Sequence, residues 1–473
     1  MVTTLKIGFA GTTQSNFDGD KQGTFQKSVN ALRLLASQMG FRLYVYGELL
    51  INGEDAAKAR KAMQTENVDF LLLQTTTFAA GDIITTLAKA DMKLGLWALP
   101  EMSRKDSIFV NSRNSFCGVN MYASIVANYL KEHQIKTKWF YGYGDDPWFI
   151  ERLGVTVRAL TAIKRMRQAK VALVGGIAPF FNDLYFDERL GEKLLGVEIM
   201  RGHEFSEIEA RAKGYSAAEI AGSAEELGTG YCACDASPQN LEIHARYYKA
   251  YTDFCAEYGY SALAVGCWPQ MGDQSGGLSC SVVGKLNQNG IPAACEGDLP
   301  GAVSMLFQQY VTQSVTTLMD LSDLDEADQS VLMWHCGPSS PCLGCSPALT
   351  YSYQPDGKGG VKKLGLIHDM VFKPQHVTFM RFTGEWDRMF LADGDIMDTQ
   401  KESPSGSRGW VNNLRIARKN VTVRDFVNTI LVKGFQHHYP MVAGDYTREM
   451  MEAAAWLCLQ VMEPVAYEDY LQV

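Results

Sequence analysis

Short apolar runs alternate with helix-like stretches from the start of the chain, and this alternation most limits the folds open to it. Lys6–Ala10, Phe41–Tyr46, Val68–Gln74 and Leu94–Leu99 read as strands. Between them, Phe25–Met39 places Val29, Leu32 and Ala36 on one helical face and stops at Gly40, while Glu54–Glu66 and Asp82–Ala90 read as further helices. Asn120–Gln134 is amphipathic at helical spacing. Such alternation predicts a parallel sheet with helices on both faces. No Gly-x-Gly-x-x-Gly follows the first strand and no Walker-type loop occurs, so neither a dinucleotide nor a nucleoside triphosphate is indicated.

The helical stretch Pro147–Ala169 reads as a bridge, and Val171–Gly175 restarts the alternation. A helix at 187–195, a strand at 197–200, a long helix at 238–258 and a strand at Ala262–Cys267 follow. Trp268–Gly277 is a Gly-rich loop and Leu278–Asn289 a helix. Beyond Asp320 the runs become short strands separated by Gly, Asp, Pro and Ser: Val361–Leu366, Val377–Phe382, Arg388–Leu391 and Val411–Ile416. These predict an antiparallel sheet or small barrel, with Ser339–Gly360 as a long loop. Val423–Lys433 is a helix ended by Gly434, Met441–Ala443 a strand, and Arg448–Leu459 a closing helix. The expected division is 1–170 and 171–325 as two α/β domains and 326–473 as a β-rich one.

With 473 residues and 46% hydrophobic composition, the chain has ample material for a core. A net charge of −9 argues against nucleic acid and anionic membrane surfaces as partners. No apolar run approaches the roughly 18 residues of a membrane span, and Met1–Ala10 lacks a signal-peptide pattern. Eleven cysteines scattered among apolar neighbours fit reduced thiols and a cytoplasmic protein.

The stretch Gly290–Asp298 concentrates the chemistry. Ile291–Cys295 is a short apolar strand with Glu296 at its carboxyl end, and Asp298 is a helix N-cap with Pro300 in the first turn. A helix over Ala302–Gln313 travels roughly 18 Å, and Val315–Met319 as a strand returns about 17 Å. Glu296 and Asp320 are therefore expected at the carboxyl tips of two parallel strands joined by a crossover helix, the edge where open α/β sheets bind ligands. Two carboxylates there form a candidate hard-metal or acid/base pair. Among eight histidines, His335, His437 and His438 stand where they can join such a pair. Oxygen-rich ligands with an imidazole suit Mn²⁺ or Mg²⁺. Cys342 and Cys345 form one Cys-x-x-Cys without a second pair, which falls short of a zinc finger. No Gly-x-Ser-x-Gly nucleophile motif is present. Trp148, Trp268, Trp334, Trp386 and Trp410 are either core residues or platforms for sugar rings.

Ala293-Ala294-Cys295-Glu296-Gly297-Asp298, Met319-Asp320, His335-Cys336-Gly337, Gly434-Phe435-Gln436-His437-His438-Tyr439 and the Gly444-Asp445 turn together resemble the L-fucose isomerase and L-arabinose isomerase superfamily. The resemblance covers most of residues 260–445; the first 170 match in architecture and in the Leu73-Gln74-Thr75 strand end. It implies two Rossmann-like doubly wound α/β domains followed by a C-terminal domain with an antiparallel β-barrel. It also implies Mn²⁺, or Mg²⁺ or Co²⁺ in its place, held by Glu296, Asp320 and His438, with His437 as the rival for the histidine. Glu296 and Asp320 would serve as acid/base as well. His335 resembles a further histidine that only the arabinose branch has. The implied assembly is a homo-oligomer, a hexamer by resemblance, and the implied substrate a monosaccharide. The expected reaction interconverts an aldose and a ketose through an enediol. Competing readings are a non-catalytic sugar-binding or regulatory protein of the same fold, and a metal-dependent epimerase or lyase on a modified sugar.

Overall fold

Apolar strands buried on both faces build the first layer of the molecule. The computed structural model describes residues 4–17, 20–90, 92–101, 113–268, 280–355, 360–399 and 401–472. It divides into two compact units, Met1–Thr161 and Ala162–Val473.

In the first unit, strands β1 (Lys6–Thr12), β2 (Arg42–Val45), β3 (Phe70–Thr75), β4 (Lys93–Ala98) and β5 (Thr137–Tyr141) form one parallel sheet in the order β2-β1-β3-β4-β5. All six residues of β3 are buried, as helices on either side require. The helix Lys21–Met39 is capped by the Asp20 side chain and ends at Gly40 with φ +74°, a left-handed stop that glycine takes without strain. The helix expected at Asn120–Gln134 begins earlier, at Ser115, and passes into a π-turn at Ile125–Tyr129. The edge strand β5 was not expected from the sequence. Only one of its five residues is buried, so it lacks the apolar run that marks the inner strands.

In the second unit, β6 (Lys170–Val174), β7 (Glu198–His203), β9 (Ala262–Val265) and β10 (Ala293–Ala294) form a parallel sheet in the order β10-β9-β6-β7. The helix Pro238–Tyr258 shows why it was legible: Ser237 caps it, Pro238 opens it, and Gly259 at φ +72° closes it. Two helices before it, Phe205–Gly214 and Ala217–Gly228, were not anticipated, although Ser216 and Glu219 make a capping box at the start of the second. Most of the Gly-rich loop expected at Trp268–Gly277, and the first residues of the next helix, lie outside the described residues; that helix is described from Cys280 to Gln288.

The remaining strands are β11 (Thr316–Asp325), β12 (Ser330–His335), β13 (Ala348–Pro355), β14 (Val361–Val371), β15 (His376–Phe382), β16 (Arg388–Ile396), β17 (Ser407–Ile416), β18 (Lys419–Asn420), β19 (His438–Ala443) and β20 (Gln460–Val461). Six of them close a barrel through antiparallel pairs, in the order β16-β15-β19-β11-β12-β17, with β17 returning to β16. Outside it, β14 joins β17, β13 joins β14, and the short β8 (Ala233–Cys234) joins β13. The stretch 339–360 is therefore not one long loop; β13 runs through it.

The crossover expectation for Asp320 is overturned. Strand β11 does not return to the parallel sheet but pairs antiparallel with β12 and β19, and Asp320 lies within it. The helix and strand lengths match either arrangement. What decides is the turn after Asp325, with Gln329 at φ +56°, which folds β12 straight back onto β11. No helix among the described residues is long and apolar enough to cross a membrane.

Candidate active site

Glu296 follows the short strand β10 with its backbone at φ +62°, and Gly297 follows at φ +72°. A left-handed glutamate is costly and persists where its surroundings fix it. Here the Ala178 N–H donates to the Glu296 carbonyl at 2.9 Å, and the Gly297 N–H donates to the Val265 carbonyl at 3.0 Å. A Cβ at position 297 would stand 2.2 Å from the Gly176 carbonyl oxygen. Gly297→Ala is thus expected to destabilise the protein by on the order of 3 kcal/mol through strain and overlap, measured as a fall in thermal midpoint with lost turnover.

The other groups come from the barrel. In register, Asp320 faces His438 on one side and Trp334 on the other. The rings of His335 and His438 stack at 5.3 Å with 24° between their planes. His438 Nε2 lies 3.4 Å from Glu296 Oε2 and 3.5 Å from Asp320 Oδ1, without the alignment of a hydrogen bond. Ligand atoms of Glu296, His335 and His438 all lie within 4.8 Å of one another, and so do those of Asp320, His437 and His438. The structure therefore brings together all five residues singled out in the sequence, from segments far apart in the chain.

Behind His438 sits a buried clamp. Its Nδ1 is 3.0 Å from Asp298 Oδ2. Asp298 also accepts two bonds from Arg381, at 2.6 and 2.9 Å, and caps the following helix through the Gly301 N–H. Arg381 donates as well to the His438 carbonyl and to Gln436 Oε1. Burial alone would raise the Asp298 carboxyl, but Arg381 and His438 outweigh it and hold the group far below the ordinary carboxylate range. The ionised Asp298 accepts a hydrogen bond from His438 Nδ1–H, which leaves the Nε2 lone pair facing Glu296 and Asp320. Such carboxylate–histidine pairs orient metal ligands.

His437 has a different environment. Its Nδ1 is 2.7 Å from Asp183 Oδ2 and its Nε2 is 3.2 Å from Glu296 Oε2. Burial opposes charge on this ring, but the hydrogen bonds to Glu296 and Asp183 prevail and push it up to about 9. Burial likewise raises Glu296, and the His437, His438 and His335 rings more than offset it, so the carboxyl stays below its ordinary value.

Three atoms here, Asp320 Oδ1, His335 Nε2 and His438 Nε2, are buried without a hydrogen-bond partner. Buried polar atoms are nearly always satisfied, so three beside an ionised glutamate call for a ligand. Each of the two groups offers one carboxylate oxygen and two imidazole nitrogens, with His438 common to both, a donor set that fits a borderline divalent cation. Among the described residues, no cysteine joins either ligand group.

Asp183, Arg381 and Gln436 had not been singled out in the sequence, and Asp298 only as a helix cap. An arginine set among Phe379, Met380 and Phe382 was the available signal for Arg381. Asp183 offered none, lying in the short 3-10 turn Asn182–Leu184, 254 positions from its partner. Of the tryptophans, Trp386 and Trp410 belong to the core, and Trp334 lies across from Asp320.

No protein-family model matches the chain. It is similar to curated proteins named sulfoquinovose isomerase. That of Alkalicoccus urumqiensis is 23% identical over 401 residues, covering 84% of this chain and 86% of the relative. That of Priestia megaterium (strain ATCC 12872 / QMB1551) is 23% identical over 405 residues, with the same coverage of 84% and 86%. That of Clostridium sp. (strain MSTE9) is 27% identical over 332 residues, 68% of this chain and 70% of the relative.

Proposed function

We propose that this protein is a metal-dependent aldose–ketose isomerase acting on a sulfonated sugar. The chain is an isomerase enzyme, the class its curated relatives share. The narrower assignment, to sulfoquinovose as substrate, comes from the name those relatives carry. The two parallel sheets are then the Rossmann-like halves, and the working form is a homo-oligomer, a hexamer by resemblance.

The single observation that carries the metal-dependent reading is the pair of unpartnered atoms Asp320 Oδ1 and His438 Nε2 beside Glu296. Glu296, Asp320 and His438 would hold the cation. Once bound, a divalent ion such as Mn²⁺ supplies Lewis-acid polarisation of the reacting oxygens. The protein's own groups do the rest. One carboxylate of the Glu296–Asp320 pair moves the carbon-bound proton between C1 and C2, and the other moves the hydroxyl proton between O1 and O2. The cationic His437, steadied by Asp183, keeps Glu296 ionised and fixes its orientation. The Asp298–Arg381 clamp holds His438 in one tautomer.

The test is a panel of aldoses and ketoses, including deoxy and sulfonated sugars, assayed with Mn²⁺. Sulfoquinovose is expected to give its ketose at the highest kcat/KM of the set. Binding of a sugar without ketose from any member would favour the non-catalytic reading, and a product altered at another carbon would favour the epimerase or lyase.

A further inference from the structure

The three histidines of the site have different hydrogen-bond partners, and those partners assign them different tasks. A neutral imidazole carries one hydrogen, and the nitrogen without it is the one that can bind a cation. His438 gives its Nδ1 hydrogen to Asp298, so Nε2 is free to ligate. His437 faces a carboxylate on each nitrogen, so it donates from both and has no lone pair to offer.

His335 is the reverse of His438. The Cys336 backbone N–H donates to His335 Nδ1 at 2.8 Å, and the Cys336 thiol lies 3.2 Å from the same atom. An amide hydrogen aimed at Nδ1 requires a lone pair there, so the ring hydrogen sits on Nε2. Nε2 is the unpartnered atom of this ring, on a residue only 1% exposed, and it points into the cluster of Glu296 and His438.

Resting on the isomerase reading above, we propose that His335 is not a metal ligand but the donor of a hydrogen bond, from Nε2–H, to an oxygen at the reacting end of the sugar. The buried N–H has no acceptor in the protein, and a substrate oxygen placed among Glu296, Asp320 and His438 supplies one. That oxygen gains negative charge as the enediol forms, so the bond strengthens along the reaction. His335 is on this account a catalytic residue touching substrate, and the cation is held without it.

The experiment measures Mn²⁺ affinity by titration calorimetry and ketose formation at saturating Mn²⁺, in the wild type and in His335→Leu, His335→Gln and His438→Gln. His335→Leu is expected to bind Mn²⁺ within about threefold of wild type while kcat falls about 100-fold, the loss typical of one oxyanion donor. His335→Gln, which keeps an N–H donor, is expected to recover part of that loss. His438→Gln is expected to weaken Mn²⁺ binding by about 100-fold or more. Loss of Mn²⁺ binding in His335→Leu to the extent seen in His438→Gln would overturn the proposal, as would unchanged turnover. Absence of Mn²⁺ binding by the wild type would instead overturn the metal-dependent reading beneath it. ¹⁵N spectra of the histidine-labelled wild type, with His335 assigned by its absence from His335→Gln, give the tautomer directly even if the leucine variant does not fold. A protonated Nε2 is expected, and a protonated Nδ1 would sink the assignment.

Discussion

Glu296→Gln and Asp320→Asn are each expected to lower ketose formation by about a thousandfold or more while leaving a folded protein with an unchanged far-ultraviolet dichroism spectrum. General acid–base groups contribute about 10²–10⁴-fold each, and on the proposed reading these two carboxylates would hold the cation as well. The substitutions are nearly isosteric, and Asp320 Oδ1 has no hydrogen bond to lose. Their effect therefore falls on chemistry rather than folding. Glu296→Gln also removes the charge opposite His437 Nε2, so the ring keeps only Asp183 as its acidic partner. Retained turnover in either variant would count against the acid/base roles assigned here.

The second large effect concerns the cation. Exhaustive chelation is expected to abolish turnover, and Mn²⁺ is expected to restore it, with a gain in thermal stability of about 2.7 kcal/mol when free metal is a hundredfold above its Kd. The gain follows because the proposed ligands Glu296, Asp320 and His438 come from the segment after β10, from β11 and from β19, which must be folded together before a cation could bind all three. Turnover indifferent to chelator would remove the metal from the mechanism. Full turnover after chelation with no stabilisation on adding Mn²⁺ would remove the site itself.

Much of this arrangement could be read from residues alone. The strands β1, β3 and β4 declare themselves as apolar runs, and the helix Leu299–Thr312 shows its Asp298 cap and early proline. Glu296, Asp320 and His438 stood out because two carboxylates and a histidine follow or open short apolar runs in an order that resembles a known family. The environment of Asp320 was not legible. A β-branched run after a helix fits a parallel or an antiparallel neighbour equally well, and the choice was made by β12 and β19, partners elsewhere in the sequence. The capping box at Ser216 was visible but unused, whereas β5 lacks the buried run that marks an inner strand. Arg381 and Asp183 escaped notice because a side chain that supports another is defined by distance in space, which sequence spacing does not encode.

The pairing of Asp320 with both Trp334 and His438 has one further consequence. Side chains alternate across a strand, so a slip of β11 by a single residue would turn the carboxylate to the opposite face of the barrel wall. The irregularity between Leu321 and Asp323, immediately after Asp320, absorbs an extra residue on the side away from the His438 pairing. A residue added at the distal end of this hairpin would thus leave the register of Thr316 to Asp320 against β19 unchanged.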